Sequence, residues 1–322
     1  MKNDHLSSRQ FAMLAQFIEG NYGIKMPPAK KIMLESRLRR RMSRAGFDSF
    51  EKYLEYIFSP EGRRLELPHT IDAITTNKTD FFREPEHFTI LCRDIIPRLL
   101  AERILMPNER FRIWSSACST GEEPYTLAMV LSELAEQRND FSFSILASDL
   151  SLKVLKKAYR AIYREEQLTG VPLLLRQKYL LRSKDRNLGL AQIEPRLRSR
   201  VEFRRINLMD GEFGIDQKMH VIFCRNVNIY FSKENQEKLL NRFHHLLVPG
   251  GYLFIGHSES LAGMNVPFEM VLPTVYLRLP QRDIASTMNL QSRLASLGGD
   301  AGGRMIGHCR MGNGAWNAGR PR

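Results

Sequence analysis

The stretch FRIWSSACSTGEEPYTLAMVLSELAEQ, residues 111–137, decides the fold of this chain. It begins with a short apolar run typical of a buried strand, turns at a single glycine, Gly121, and continues with helical periodicity. The same order returns at 141–163, where FSFSILASD predicts a strand and LKVLKKAYRAIY predicts a helix. Strands that alternate with helices indicate an α/β fold with a doubly wound, mostly parallel sheet.

Further strands and one helix extend this alternation, so that residues 108–280 predict one α/β domain. Helical periodicity over 233–247 ends at Pro249 and the two glycines that follow it. The stretch 164–200 interrupts the alternation and predicts a small inserted subdomain. Strand-like apolar runs occupy four later segments, 201–208, 220–227, 251–258 and 274–279.

The segments before and after the α/β domain differ from this pattern. Residues 76–107 are expected to form a linker and a first helix that contribute to the site in the α/β domain. Residues 281–322 hold eight of the chain's 21 glycines and predict a disordered tail rich in Gly and Arg. Residues 1–75 predict an N-terminal all-helical domain, with helical patterns over 6–20, 30–47 and 50–58.

Length and composition fit two ordinary folded domains. The 322 residues, 43% hydrophobic and 26% charged, exclude collagen-like and wholly disordered chains. No apolar run could span a bilayer and no secretory signal is visible, which predicts a cytoplasmic protein without membrane insertion. Because the four cysteines are spaced singly, neither disulfides nor a metal site is expected. The formal net charge of +13 predicts an acidic partner.

Acidic residues follow the first two strands, where open α/β sheets bind their ligands. Glu122 and Glu123 would repel a pyrophosphate and favour a cationic or hydroxyl-rich ligand, such as S-adenosylmethionine. Asp149 ends the second strand, where a carboxylate can accept hydrogen bonds from ribose hydroxyls. Each residue alone is also typical of a helix cap or a turn. Their order on two successive strand–helix units favours a nucleoside-containing cofactor.

Polar side chains also follow two later strands and are expected at the same edge of the sheet. Arg225 and Asn226 come directly after HVIFC, with Tyr230 close behind, and Asn207 ends VEFRRIN. Ordinary polar capping of strand ends is the alternative interpretation of these residues.

Several motifs in one order resemble the chemotaxis receptor glutamate methyltransferases, the CheR family. The resemblance covers about residues 10–280 and implies a class I S-adenosylmethionine-dependent methyltransferase with a small inserted β-subdomain. It also implies methylation of glutamate side chains on the cytoplasmic helices of chemoreceptors, with S-adenosylhomocysteine as the second product and no metal. The motifs are TTNKTDFFREPEHF (75–88), STGEEPYTLAM (119–129), ASD (147–149), INL (206–208), FCRNVNIYF (223–231) and GHSES (256–260).

The resemblance assigns roles to ten residues of this chain. Arg83 and Tyr230 are the best candidates to orient the incoming carboxylate, and Arg83 would also reach the cofactor. Asn228 departs from the family pattern, which usually has an apolar residue such as Met at this position. The residues implied to bind the cofactor or line its site are Asn77, Thr79, Arg83, Glu123 (methionine or ribose end), Asp149 (ribose hydroxyls), Asn207 and Leu208 (flanking adenine), and Arg225 and Asn226 (beside the methyl group).

A basic face on the helix predicted over 30–47 suggests the protein partner. Arg37, Arg40, Arg41 and Arg44 lie on one arc of this helix. A solvated charged face is the alternative, but an acidic receptor bundle would favour docking here. A receptor C-terminal peptide could bind the inserted subdomain, and recruitment to membrane receptor arrays would follow. Nucleic acid is not expected because basic residues are seldom interleaved with aromatic ones. A non-catalytic S-adenosylmethionine-binding signalling module, or a methyltransferase with another acceptor, remains the alternative.

Overall fold

The computed structural model describes residues 4–279 of the chain. The predicted disordered tail, 281–322, lies outside the described residues. The first helix begins where it does because Ser7 caps it: the Ser7 hydroxyl accepts from the Gln10 N–H, and the Gln10 side chain accepts from the Ser7 N–H. From residue 4 onward, the N-terminal part contains the α-helices α1 Ser8–Tyr22, α2 Lys31–Arg44, α3 Phe50–Phe58, α4 Pro60–Leu65 and α5 Leu67–Ile74.

Helices α4 and α5 lie within 59–75, a part of the predicted all-helical domain for which the sequence patterns indicate no individual helix, and Pro60 does not interrupt helical structure there. Pro60 instead occupies the first turn of α4, where a backbone N–H would have no partner within the helix, so its absence in proline costs no hydrogen bond. The Ser59 hydroxyl accepts from the Gly62 N–H. Ile71 and Ile74 of α5 then pack into the same buried core as residues of α1, α2 and α3. The helical part is therefore one packed unit.

A nearly continuous helical stretch connects this unit to the sheet. It consists of α6 Glu86–Ile90, a π-helical segment Leu91–Ile95 and α7 Ile96–Ala101. Its buried face, which includes Phe88 and Leu99, packs against the sheet. The remaining helices are α8 Glu122–Gln137, α9 Leu152–Arg160, α10 Leu173–Tyr179, α11 Pro195–Arg198 and α12 Lys233–Leu246.

Within residues 4–279 the strands form one sheet of seven and one of three. They are β1 Arg110–Ser115, β2 Ser142–Asp149, β3 Ile162–Arg164, β4 Leu180–Arg182, β5 Leu190–Ile193, β6 Val201–Arg205, β7 Met219–Cys224, β8 Leu247–Ile255, β9 Phe268–Leu272 and β10 Val275–Arg278. The large sheet has the order β6-β2-β1-β7-β8-β10-β9, and its first five strands are parallel. Strand β10 runs antiparallel to both neighbours. The predicted doubly wound, mostly parallel fold is confirmed.

Two details differ from the sequence prediction. Strand β9 was missed because it is a half-exposed edge strand without a continuous apolar run. The inserted sheet, of order β3-β5-β4, begins at Ile162 and not at 164, since Ala161 takes a left-handed conformation (φ 55) that ends α9.

The helical unit lies against the carboxyl edge of the large sheet. Ile24 forms an antiparallel bridge with Phe231, and the Lys25 N–H donates to the Tyr230 carbonyl at 2.8 Å. Helix α5 also packs against α9. None of the helices within residues 4–279 combines the length and apolar character that crossing a bilayer requires.

Candidate functional site

One pocket lies at the carboxyl edge of the large sheet, under the helical unit. Because parallel strands end at the same edge, residues far apart in sequence meet there. All ten site residues expected from the sequence line this pocket: Asn77, Thr79, Arg83, Glu123, Asp149, Asn207, Leu208, Arg225, Asn226 and Tyr230.

Only one of the two acidic residues at the start of α8 faces the pocket. The Glu123 carboxylate accepts from the Ser115 hydroxyl at 2.7 Å and from the Arg225 guanidinium at 2.9 Å. Glu122 turns inward, is 2% exposed and accepts from the Thr120 hydroxyl at 2.6 Å. The helix begins one residue after Gly121, whose φ of 97 suits glycine.

Asp149 is held rigidly at the end of β2. Its two oxygens accept from the Ser119 and Ser151 N–H groups, each at 2.9 Å. Burial raises the pKa of Asp149, although these two backbone hydrogen bonds act in the opposite direction. Each carboxylate oxygen has a second lone pair, so Asp149 can still accept from two hydroxyl groups.

Arg225 joins the strand end to two carboxylates. Its side chain is 2% exposed and lies 2.9 Å from both Glu123 and Glu84, and it also donates to the Arg83 carbonyl at 2.5 Å. Its guanidinium stands over the rings of Phe88 and Phe223, at 5.6 and 5.7 Å from their centroids. Both terminal nitrogens are thus occupied by protein groups, so Arg225 organises the pocket wall.

Glu84 had no predicted role, although it lies in the quoted TTNKTDFFREPEHF motif. It takes a left-handed conformation (φ 56) and accepts from Arg225, from the Asn226 amide at 3.2 Å and from the His257 N–H at 3.3 Å. Burial is the largest single influence and opposes its ionisation, but the Arg225 charge together with the hydrogen bonds from Arg225, Asn226 and His257 lowers the pKa of Glu84. Glu84, His87 and His257 lie within metal-ligand reach of one another. The Arg225 guanidinium lies 2.9 Å from the Glu84 carboxylate of this cluster.

Glu259, in the quoted GHSES motif, shapes the loop that carries Asn226. Its carboxylate accepts from four backbone N–H groups, those of Gly256 (2.6 Å), Asn226 (2.8 Å), Val227 (2.9 Å) and Asn228 (2.8 Å). Asn226 can therefore hold a left-handed conformation (φ 58). The family departure at Asn228 is accommodated, since its buried side chain accepts from the Cys224 thiol at 3.7 Å.

Arg83 and Tyr230 keep their polar groups available at the pocket. The Arg83 side chain is 35% exposed, donates to the Lys78 carbonyl at 3.2 Å and lies 4.0 Å from the Glu84 carboxylate. Tyr230 ends a short 3-10 turn, and the Lys30 ammonium lies 6.0 Å from its ring centroid. Both side chains line the pocket.

Asn207 connects the two parts of the molecule. Its amide donates to the Asn21 carbonyl and to Asp210, both at 2.8 Å, while Leu208 beside it is buried. The Asn77 amide, which also lines the pocket, donates to the Thr75 hydroxyl at 3.2 Å. Sequence reasoning missed a further set of lining residues because only packing of the helical unit brings them there. These residues are Tyr22, Ile24, Met26, Lys30 and Met33.

The four arginines expected to dock a partner line a second groove, on α2. Arg37 donates to the carbonyl of Ile74 at 2.6 Å, and Arg41 pairs with the buried Glu66 at 2.5 Å. Arg40 and Arg44 are exposed. The structure thus separates two arginines with internal partners from two that face solvent.

The carboxylates and the apolar side chains that line the pocket fit S-adenosylmethionine. Glu123 presents a carboxylate suited to an ammonium or sulfonium charge, and Asp149 presents acceptors for ribose hydroxyls. Ile206 and Leu208 add an apolar wall suited to a flat base.

Comparison with known proteins agrees with this geometry. Residues 77–277 match the family model for the CheR methyltransferase SAM binding domain, and residues 9–75 match that for the CheR methyltransferase all-alpha domain. A chemotaxis protein methyltransferase of Borreliella burgdorferi is 38% identical over 275 residues, covering 85% of this chain and 95% of the relative. Its namesake in Salmonella typhimurium is 37% identical over 274 residues, covering 84% and 90%. The chain belongs to the CheR methyltransferase family.

Proposed function

We propose that this protein transfers a methyl group from S-adenosylmethionine to glutamate side chains on the cytoplasmic helices of methyl-accepting chemoreceptors. The products are glutamate 5-O-methyl ester and S-adenosylhomocysteine, and the reaction serves adaptation in chemotaxis. One observation carries the proposal: Glu123 and Asp149, suited to the cofactor, share a pocket with Arg83 and Tyr230, suited to a carboxylate acceptor.

The cofactor would be held by residues from four segments of the chain. Glu123 would bind its methionine or ribose end, Asp149 its ribose hydroxyls, and Asn207 and Leu208 would flank its adenine. When bound, S-adenosylmethionine supplies an electrophilic methyl group on a sulfonium. Asn226 would line the site beside this group, and the linker residues Asn77 and Thr79 would complete the wall.

A glutamate acceptor needs no general base, since its ordinary pKa of about 4.3 leaves it ionised at pH 7. The chain's task is therefore to orient one carboxylate oxygen and to exclude water around it. Arg83 can offer two parallel N–H donors to the carboxylate, and Tyr230 can offer its hydroxyl. The apolar residues Ile24, Met26 and Met33 from the helical unit would limit water at the same pocket.

Arg225 has a different part in this mechanism. Because its terminal nitrogens are engaged by Glu123, Glu84 and the Arg83 carbonyl, it is a poor ligand for the acceptor. Its proposed role is to hold Glu123 in place and to connect it to the segment that carries Arg83. It would thus act as a positioning residue beside the methyl group.

The proposed protein partners are the acidic cytoplasmic helices of the receptor, docked by Arg40 and Arg44 with support from Arg37 and Arg41. The inserted sheet has β4 at one edge, where a receptor C-terminal peptide could add as a further strand. These contacts would recruit a cytoplasmic enzyme to membrane receptor arrays.

The test is transfer of radiolabelled methyl from S-adenosylmethionine to a purified receptor cytoplasmic domain, followed by mild base. A carboxyl methyl ester releases volatile methanol under base, whereas methylated nitrogen does not. Base-labile label on glutamate supports the proposal, and a receptor domain with those glutamates changed to alanine is the matched control. Cofactor binding without label on any receptor would favour a non-catalytic signalling module, and label on nucleic acid would favour another acceptor.

A further inference from the structure

We propose that helix α9 supplies the second wall of the surface that docks the acidic receptor helix, opposite α2. This inference rests on the proposed function and adds to it a part of the α/β domain. In the resulting arrangement one acceptor helix binds between the helical unit and the α/β domain.

The groove between these helices is strongly basic. Alongside its basic side chains, a single carboxylate, that of Asp72, lines it within the described residues. The basic side chains come in two rows of four, Arg37, Arg40, Arg41 and Arg44 from α2, and Lys153, Lys156, Lys157 and Arg160 from α9.

The fold does not need the charges on α9. The helix packs against the rest of the domain through Val154, Leu155 and Ala158, which are buried. On its outer side Lys153, Lys156 and Arg160 are exposed, and none of the three forms an ion pair with any residue in the part of the chain the structure describes. Like charges gathered without partners repel one another, so this row is best explained by an acidic partner.

The groove adjoins the pocket. Thr75 and Asn77 line both of them. Helix α5 packs against α2 on one side and α9 on the other, which sets the spacing between the two walls. A helix lying in the groove would therefore carry its glutamates past the mouth of the pocket.

The dimensions and chemistry of the groove fit an acidic helix. At about 1.5 Å per residue, Lys153 to Arg160 spans about 10 Å, or two helical turns. Residues 281–322 of the chain carry six Arg and two Asp, so the basic groove would repel their net positive charge. No aromatic ring of Phe, Tyr or Trp lines the groove within residues 4–279, so stacked nucleic-acid bases would find no platform.

The experiment compares the variant Lys153→Glu/Lys156→Glu/Arg160→Glu with a control, Lys233→Glu/Lys238→Glu, on α12. The control residues are exposed and line neither the groove nor the pocket. We expect the α9 variant to raise the KM for the receptor domain about tenfold or more at low salt, with kcat and the Kd of S-adenosylmethionine within about twofold. The control should leave all three unchanged.

A neutral variant, Lys153→Gln/Lys156→Gln/Arg160→Gln, guards against misfolding and should give an intermediate KM and a shallower dependence on salt. An unchanged KM in both α9 variants, while the parent protein methylates the receptor, overturns the inference. Failure of the parent protein to methylate any receptor instead contradicts the proposed function. An unlabelled RNA that competes with the receptor domain for the parent protein, and not for the α9 variant, would assign the groove to nucleic acid and overturn the inference too.

Discussion

The Arg225 guanidinium lies 2.9 Å from the Glu123 carboxylate, although 102 positions separate the two residues. This ion pair joins the end of β7 to the first turn of α8, and both residues line the pocket. It leaves Glu123 with lone pairs for a ligand while fixing its orientation.

Replacing Glu123 by Gln should weaken binding of S-adenosylmethionine about 10- to 100-fold, because a charge-assisted hydrogen bond contributes about 1.5–3 kcal/mol. Isothermal titration calorimetry measures the change. The matched control is Glu122→Gln, since Glu122 faces the interior and burial raises its pKa. Equal losses in the two variants would contradict the assignment of Glu123 to the cofactor.

Replacing Arg83 by Ala should lower turnover more than cofactor affinity. We expect kcat on the receptor to fall about 100-fold, with the Kd of S-adenosylmethionine within about threefold, since Arg83 would orient the acceptor. Because Arg83 is partly exposed and its contacts are a hydrogen bond to the Lys78 carbonyl and a long, 4.0 Å ion pair with Glu84 among the described residues, stability should change by only about 0.5 kcal/mol. Equal losses in turnover and cofactor affinity would argue against an orienting role.

Replacing Glu259 by Ala should destabilise the protein by about 3 kcal/mol or more, because four backbone N–H groups lose their acceptor. Thermal and urea unfolding measure this loss. Activity should fall with stability, since the loop that positions Asn226 would relax. The control is Ser260→Ala, which alters an exposed neighbour. A Glu259 variant as stable as the control would show that the loop keeps its conformation without the Glu259 carboxylate.

Acid should destabilise the protein partly through His87. Burial, reinforced by the Arg225 charge and by His257 and opposed by Glu84, lowers the pKa of His87 from 6.5 to about 3. Below about pH 6.5 the His87 side chain is protonated in the unfolded chain but stays neutral in the folded protein. The free energy of unfolding therefore falls as the pH drops below about 6.5. The loss should reach roughly 2 kcal/mol by pH 5.

The measurement for His87 is the free energy of unfolding between pH 7 and 5. His87→Gln should flatten this dependence, leaving the part due to His220, whose pKa burial lowers to about 4. His245→Gln, at an exposed position, should keep the slope of the parent protein. An identical slope in all three proteins would remove His87 as the cause.

Charge reversal at Arg40 and Arg44 should weaken receptor methylation at low salt without loss of stability, because both side chains are exposed. Arg41→Ala should instead lower stability by about 1–3 kcal/mol, since it leaves the buried Glu66 carboxylate without its ion pair. Initial methylation rates and unfolding curves separate the two effects. Unchanged methylation by the Arg40/Arg44 variant at low salt would remove α2 from the docking surface.

The sequence by itself determined the strand–helix alternation of the α/β domain, apart from the edge strand β9, and the place of Glu123, Asp149 and Arg225 at strand or helix ends. These are local properties, set by apolar periodicity over a few residues and by the rule that parallel strands share one carboxyl edge. Motifs in the chain also identified the family, and with it the cofactor.

Only the tertiary structure decided which of Glu122 and Glu123 faces the pocket, and that Glu259 holds the loop at Asn226. It likewise brought Tyr22 and Lys30 of the helical unit onto the pocket wall and set α9 opposite α2 across the basic groove. These relationships depend on packing and hydrogen bonds between segments up to about two hundred residues apart. A local sequence pattern does not specify how far apart such segments lie or how their side chains are oriented toward each other.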